Sequence, residues 1–362
     1  MIPLVAPRME DDDIQIFRLY HGPQEKLTQY VQQFEEKFLT YIGKKYALAV
    51  NSGTSALHLA LLGLEIVPGD EVIIPSYTCT ALLNAILYVQ AIPILVDCEF
   101  DVSNSLYTLS VEKVKHCISS KSKAIIFPHM FGKATVIEPY LQFGLPVIED
   151  GTLSLGAVDV YGSRVGSKGT LSIFSVHESK MISAISGGIL LTDDQKIFFR
   201  MKDYLENSDH EKVYSVRYNY TLPSINAALG INQLGKIDSF IHRRRYLANY
   251  YSQRLSSYEC IELPKVTEDN VFFRFMIRLK NGIRPEDVLK YGESKGIQFG
   301  RGVYPPLHRY LNQDQDLFLN SEAAVQSVIS IPIHPSIANN EAEYIMDVLE
   351  ELLQNRKSGE LV

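Results

Sequence analysis

The residues best suited to chemistry fall at three places in the chain. Lys180 stands in "FSVHESKMISAISGG", residues 174–188, between an apolar run and a glycine pair. Asp150 closes "LPVIED", 145–150, and "NSGTS", 51–55, combines a glycine with hydroxyls just ahead of the apolar run "ALHLALLGL". A lysine amine condenses with a carbonyl carbon once it has lost its proton. The open N–H groups at a helix start bind phosphate. Taken singly, each has an ordinary reading: a solvated amine, a loop-capping carboxylate, an N-cap by Ser52 or Thr54. Taken together they are the three contacts that pyridoxal phosphate needs: a Schiff base to lysine, an acid that keeps the pyridine nitrogen protonated, and backbone amides on the phosphate.

The elements that must hold these groups are legible as a pattern. Short apolar runs recur at 46–50, 71–75, 92–96, 124–128, 145–150, 171–176 and 187–192, each followed by glycine or polar residues, and stretches such as Ser55 to Leu64 between them have helical content. Buried strands alternating with crossovers predict an α/β fold, a mainly parallel sheet sandwiched by helices, with ligands beyond the carboxyl ends of the strands. Ahead of the first strand, Leu27, Val31, Phe34, Phe38 and Tyr41 line one face of a helix that Gly43 can end. Residues 200–256 read as mostly helix, "VFFRFMIRL", 271–279, as a strand of a second unit, and Ala342, Ile345, Leu349 and Leu352 as one face of a closing helix. The expected division is a large domain at 1–245 and a smaller α+β domain at 246–362.

Composition narrows the function classes. With 362 residues, 46% hydrophobic and 21% charged, the chain can bury a large core. A net charge of −7 and no long basic tract argue against nucleic acid or an anionic membrane surface as the partner. The densest cationic run, Arg243 to Arg245, reads as a solvated helix face. The opening "MIPLVAPRMEDDD" lacks the pattern of a secretory signal, and 81–96 is too broken to span a bilayer, so a cytoplasmic address is expected. Cys79, Cys98, Cys117 and Cys260 have neither metal-ligand spacing nor a disulfide pattern, so no metal site is expected.

At this point the chain resembles the sugar aminotransferases of the DegT/DnrJ/EryC1/StrS family, with the fold-type I architecture of aspartate aminotransferase. The resemblance runs through "NSGTSALHLALLGL", "PGDEVIIPSYT", "NAILYVQAIPILVD", "PHMFGK", "VIED", "FSVHESK", "YNYTLPSINAALGINQL", "YPPLH" and "SIPIHPS". It implies Lys180 as the Schiff-base lysine and Asp150 as the pyridine-nitrogen partner. It further implies Gly53, Thr54 and Ser55 as the phosphate cradle, Ser175 as a hydroxyl ligand of the phosphate, and Asn219 as a residue that reaches the phosphate of a neighbouring subunit in a homodimer with shared sites. Tyr304 and His308 in "YPPLH" match positions near the sugar, and His308 also reads as a structural histidine in a proline-braced loop. The implied reaction moves an amino group, from L-glutamate, onto a keto-sugar attached to a nucleoside diphosphate, with the freed Lys180 amine carrying the proton.

Several positions depart from the family pattern. Leu153 replaces a glutamine expected near the ring's phenolic oxygen, Cys79 stands where an aromatic residue stacks on the ring unless Tyr77 swings in, Ser186 replaces a glutamate and Thr221 an arginine. The glycine-containing loop usual before the first long helix is poorly preserved in "LYHGPQEKLTQ", 19–29. Two other readings stay open on these residues. One is a binder of cofactor or nucleotide-sugar without catalysis, acting as a regulator. The other is the family's sugar-dehydratase branch, which has histidine at this position, so Lys180 argues against it.

Overall fold

The computed structural model describes residues 1–16, 24–205 and 216–357, excepting the side chains of 24–28 and 355–357. The start of the loop read in "LYHGPQEKLTQ", the side chain of Leu27 and residues 206–215 of the stretch read as mostly helix therefore lie outside the described residues.

Seven strands form the main sheet: β1 (Tyr46–Val50), β2 (Glu71–Pro75), β3 (Ile92–Val96), β4 (Ser122–Pro128), β5 (Val147–Asp150), β6 (Leu171–Ser175) and β7 (Gly188–Thr192). Their order is β1-β7-β6-β5-β4-β2-β3. Five of the neighbours, β6, β5, β4, β2 and β3, pair in parallel, and β7 runs antiparallel to both β6 and β1. The expected α/β architecture is borne out. Alternate side chains leave opposite faces, so Val72 and Ile74 enter one core with helices Gly53–Gly63 and Thr80–Tyr88, while Ile73, Ile125 and Phe127 enter another. Both faces are covered, which is why the strands read as continuous apolar runs instead of alternating ones.

Helix Gln24–Ile42 packs Phe34 and Phe38 beneath the sheet, and Gly43, with φ of +85°, ends it as its position suggests. Strands β8 (Ile261–Glu262), β9 (Phe275–Leu279) and β10 (Val328–Ile331) form a second, antiparallel sheet in the order β10-β9-β8. Ala342, Ile345, Leu349 and Leu352 are buried against it. Helix Ile237–Leu255 joins the two cores, giving Phe240 and Ile241 to the first and Leu247, Ala248, Tyr251 and Leu255 to the second. Ile2 pairs with Ile297 and packs on the second core.

Two expectations are corrected here. The strand read at 271–279 begins only at Phe275, because Phe272 takes φ of +51° and residues 271–274 pair irregularly with the turn at 131–132. The arginine triplet is not a solvated face. Successive helical residues turn by about 100°, so Arg244 shares a face with Leu247 and Tyr251 and is buried. Its guanidinium donates to the carbonyls of Phe272 at 3.2 Å and Phe273 at 3.3 Å and to that of Ile333.

Candidate functional site

The carboxyl ends of β1, β5 and β6 reach the same edge of the sheet, and β7 starts there. Gly188, the first residue of β7, is in register with Val50 on one side and Ser175 on the other. The turn leaving β1 thus lies directly beside the end of β6. A Cβ on Gly53 would stand 2.8 Å from Cβ of Ser175, so glycine is required for this approach. Ser52 caps helix Gly53–Gly63, its Oγ accepting from the Ser55 N–H at 3.0 Å. The N–H groups of Gly53 and Thr54 belong to the first turn and have no place in the helical ladder.

The long connection from β6 to β7 continues the hairpin. Val176 N–H donates to Gly187 O at 3.0 Å and Glu178 N–H to Ile185 O at 3.0 Å, which leaves Lys180 at the tip. Asn226, from helix Ser224–Gly235, clamps this connection by donating to the carbonyls of Ala184 and Ser186, both at 2.8 Å. Ser186 donates its hydroxyl to Asn51 O at 2.9 Å, so the residue in place of the family's glutamate ties the loop to the cradle turn.

Alternation along β5 separates its two terminal acids. Glu149 turns away and is consumed structurally, accepting from His129 Nε2 at 3.1 Å, Gly166 N–H at 2.8 Å and Lys168 N–H at 2.9 Å. His129 Nδ1 accepts from Thr135 N–H at 3.2 Å, which assigns the ring proton to Nε2. Asp150 faces the cavity, its Oδ1 accepting from Thr152 N–H at 3.0 Å. Burial pushes the Asp150 carboxyl upward against the hydrogen bonds from Thr152 and the charge of Lys180. Burial pulls Lys180 below the ordinary lysine range, opposed by Asp150 and reinforced by Arg274.

Two adjoining chambers meet at Lys180. One, of about 310 Å³, runs from Lys180 to Ser52, Gly53, Thr54 and Ser175. The other, of about 150 Å³, runs from Lys180 toward Phe131, Phe273 and Arg274. Cys79, Asp150, Thr152, Ser179 and Lys180 line both. The structure thus brings together Gly53, Thr54, Cys79, Asp150, Ser175 and Lys180.

It does not bring the remaining expected residues into these chambers. Ser55 is buried and its hydroxyl is taken by Asn51 Oδ1 at 2.7 Å, so Ser52 lines the cradle in its place. Tyr77 does not swing in: it is buried beside Tyr107 and Phe131, and its hydroxyl accepts from Val303 N–H at 3.3 Å. Cys79 lines both chambers, beside Thr80 and Ala81 in the larger and Thr78 in the smaller. His308 is fully buried between Ser76 Oγ at 2.6 Å and Glu322 Oε1 at 2.7 Å, stacked on Phe318, which corresponds to its structural reading. Tyr304 is exposed under the Arg301 guanidinium, 4.5 Å from its ring. Asn219 is exposed, with its carbonyl accepting from Asn51 Nδ2 at 3.2 Å. Thr152, Phe273 and Arg274 went unread; the lone charge in "VFFRFM" was the available signal for Arg274.

Comparisons with known proteins give the chain's relatives. The family profile described as "DegT/DnrJ/EryC1/StrS aminotransferase family" matches residues 16–350. GDP-perosamine synthase of Caulobacter vibrioides is 31% identical over 340 residues, covering 90% of each chain. The structure of DesV from S. venezuelae in complex with a ketimine intermediate superposes with a TM-score of 0.82 at 26% identity, covering 94% of both chains. NtdA from Bacillus subtilis with bound cofactor PMP superposes with a TM-score of 0.83 at 24% identity, covering 96% of this chain and 83% of that one. With a profile match across most of its length and a relative above 30% identity at this coverage, the chain belongs to the DegT/DnrJ/EryC1/StrS aminotransferase family.

Proposed function

We propose that the protein is a pyridoxal-phosphate-dependent aminotransferase that converts a nucleotide-linked keto-sugar to an amino-sugar, with L-glutamate as donor. The observation that carries this reading is the meeting of Lys180 and Asp150 at the junction of two chambers, one of which ends on the open amides of a helix start. The naming of a 31% identical relative as GDP-perosamine synthase supports the sugar-nucleotide substrate.

The residues present fit the cofactor. The close backbone approach at Gly53 and Gly188 excludes added side chains, and the open space beside Ser52, Gly53, Thr54 and Ser175 is where a phosphate would sit. Gly53 and Thr54 N–H and the Ser175 hydroxyl would hold that phosphate, Asp150 the pyridine nitrogen, and Lys180 the carbonyl carbon as a Schiff base. When bound, the cofactor supplies a carbon that condenses with amines and a ring that takes up an electron pair. The lowered proton affinity of Lys180 suits its Nζ to both attachment and, once displaced, proton transfer at the reacting carbon. Asp150 lines both chambers, and the Thr152 N–H and the Lys180 charge, which oppose the upward push of burial, favour the carboxylate it would place next to the ring nitrogen. Leu153, half-buried with Met130 and Phe131, replaces a hydrogen-bonding neighbour by an apolar wall that helps keep water out.

Residues 1–245 and 246–362 are read as the two domains, since the change of core falls between Ile241 and Leu247, with the first residues docked on the smaller unit. A homodimer with shared sites is supported by the exposure of Asn219 at the edge of the cradle. A cytoplasmic location is consistent with four free cysteines, and a role in polysaccharide biosynthesis with the GDP-perosamine synthase relative; among the described residues no helix is long and apolar enough to cross a membrane.

The test is spectroscopic. Purified protein incubated with pyridoxal phosphate should show the visible band of the lysine-linked cofactor, lose it on Lys180→Ala, and convert to the pyridoxamine form on adding L-glutamate. Binding without that conversion would identify a non-catalytic binder.

A further inference from the structure

The smaller chamber holds a cation that the reading above leaves without a task. Arg274 lines it, and Arg274 Nη1 is shielded from solvent with no hydrogen-bond partner among the described residues. The guanidinium makes no ion pair with a described carboxylate. It lies 5.4 Å from the Phe273 ring centroid, which also has Lys180 Nζ at 5.8 Å and the Arg244 guanidinium at 5.9 Å. Three cations therefore surround one aromatic ring, and among the described residues the only carboxylate on the chamber wall is Asp150.

Burial without a counter-charge is unfavourable for such groups, and it pulls Arg274 to about 10 and Arg244 to about 9. Arg244 has three carbonyls to satisfy it. Arg274 has none, and it stands where a ligand bound to Lys180 would extend. An unpaired cation kept at a cavity wall against its desolvation cost calls for an anion supplied from outside the chain.

Size selects that anion. A chamber of about 150 Å³ compares with roughly 30 Å³ for each water of the bulk liquid, so it admits a small organic acid. Sites for larger ligands run to roughly 300–1,000 Å³. We propose that Arg274 is the specificity-determining residue for the amino-acid donor, pairing its guanidinium with a carboxylate of the donor while the donor's nitrogen meets the cofactor beside Lys180. This rests on the aminotransferase reading.

The experiment uses holoprotein whose visible cofactor band has first been verified, so that failure to take up cofactor refutes the enzyme reading separately. Calorimetric titration with 2-oxoglutarate, the keto acid left when glutamate donates, compares wild type with Arg274→Met and Arg274→Lys, and GDP serves as the nucleotide probe. Loss of a charge-assisted bond predicts about 10- to 100-fold weaker 2-oxoglutarate binding for Arg274→Met, partial rescue by Arg274→Lys, and unchanged GDP binding. Because the removed charge has no partner, apo Arg274→Met should melt no lower than wild type, an outcome a merely structural role would reverse. Wild-type affinity for the keto acid, or a loss confined to GDP, would overturn the proposal. If Arg274→Met fails to fold, Arg274→Lys binding the keto acid as tightly as wild type does would overturn it.

Discussion

Gly188→Ala is the sharpest test of how the phosphate cradle is built. The added Cβ would lie 2.5 Å from Ser52 O, 2.6 Å from Ser52 C and 2.9 Å from Gly53 N. All three are backbone atoms, so no rotamer change relieves the overlap. Gly188 is hydrogen-bonded in a strand between β1 and β6, and the turn at 52–53 must instead retreat by roughly 0.5–1 Å to regain ordinary separation. That movement carries away the N–H groups of Gly53 and Thr54, which the reading assigns to the phosphate. One lost hydrogen bond to a charged group costs about 1.5–3 kcal/mol, or roughly a 10- to 100-fold rise in Kd. The assay is absorbance titration of apoprotein with pyridoxal phosphate and, in parallel, with pyridoxal, which has no phosphate. The variant should weaken the first and leave the second within about twofold. Equal weakening of both ligands, or wild-type affinity for pyridoxal phosphate, would refute the assignment of this turn to the phosphate.

Two further predictions concern charge. Asp150→Asn keeps size and an oxygen for the Thr152 N–H, so cofactor uptake should persist while the glutamate half-reaction slows by about 10²- to 10³-fold, measured by stopped-flow absorbance; near-normal rates would remove Asp150 from its electronic role. His334 is held neutral by burial, with the Arg244 charge adding, at about 4 against an ordinary 6.5. The unfolded chain therefore takes up a proton between these values that the folded chain refuses, and stability from this group, full above about 6.5, is lost as pH falls toward about 4, at up to about 1.4 kcal/mol per unit. Glu35, raised to about 7 by burial, works in the opposite direction, so the readout is the difference between wild type and His334→Gln in denaturant midpoints at pH 7 and pH 5. A difference that does not change with pH contradicts the assignment.

The sequence by itself determined the strands and most of the cofactor constellation, because both rest on local patterns. Apolar runs of strand length mark β1 to β7 whatever they pair with, and a lysine before a glycine pair, an acid ending a strand and a glycine-hydroxyl turn are each readable within a few residues. What the tertiary structure decided depends on long-range register. Only the pairing of Gly188 with both Val50 and Ser175 shows why the glycine is there, and only the facing of β5 makes Asp150 the cavity acid and Glu149 the loop anchor. His308 passed from a site candidate to a buried structural group through Glu322, fourteen residues on, and Ser76, distant in sequence. Arg244 left the surface because helix phase placed it against the second core, and Arg274 entered the site because Phe272 breaks the expected strand just before it. Pairing partners so far apart in the chain leave no local periodicity, and it is at those contacts that charge, burial and room for a ligand are set.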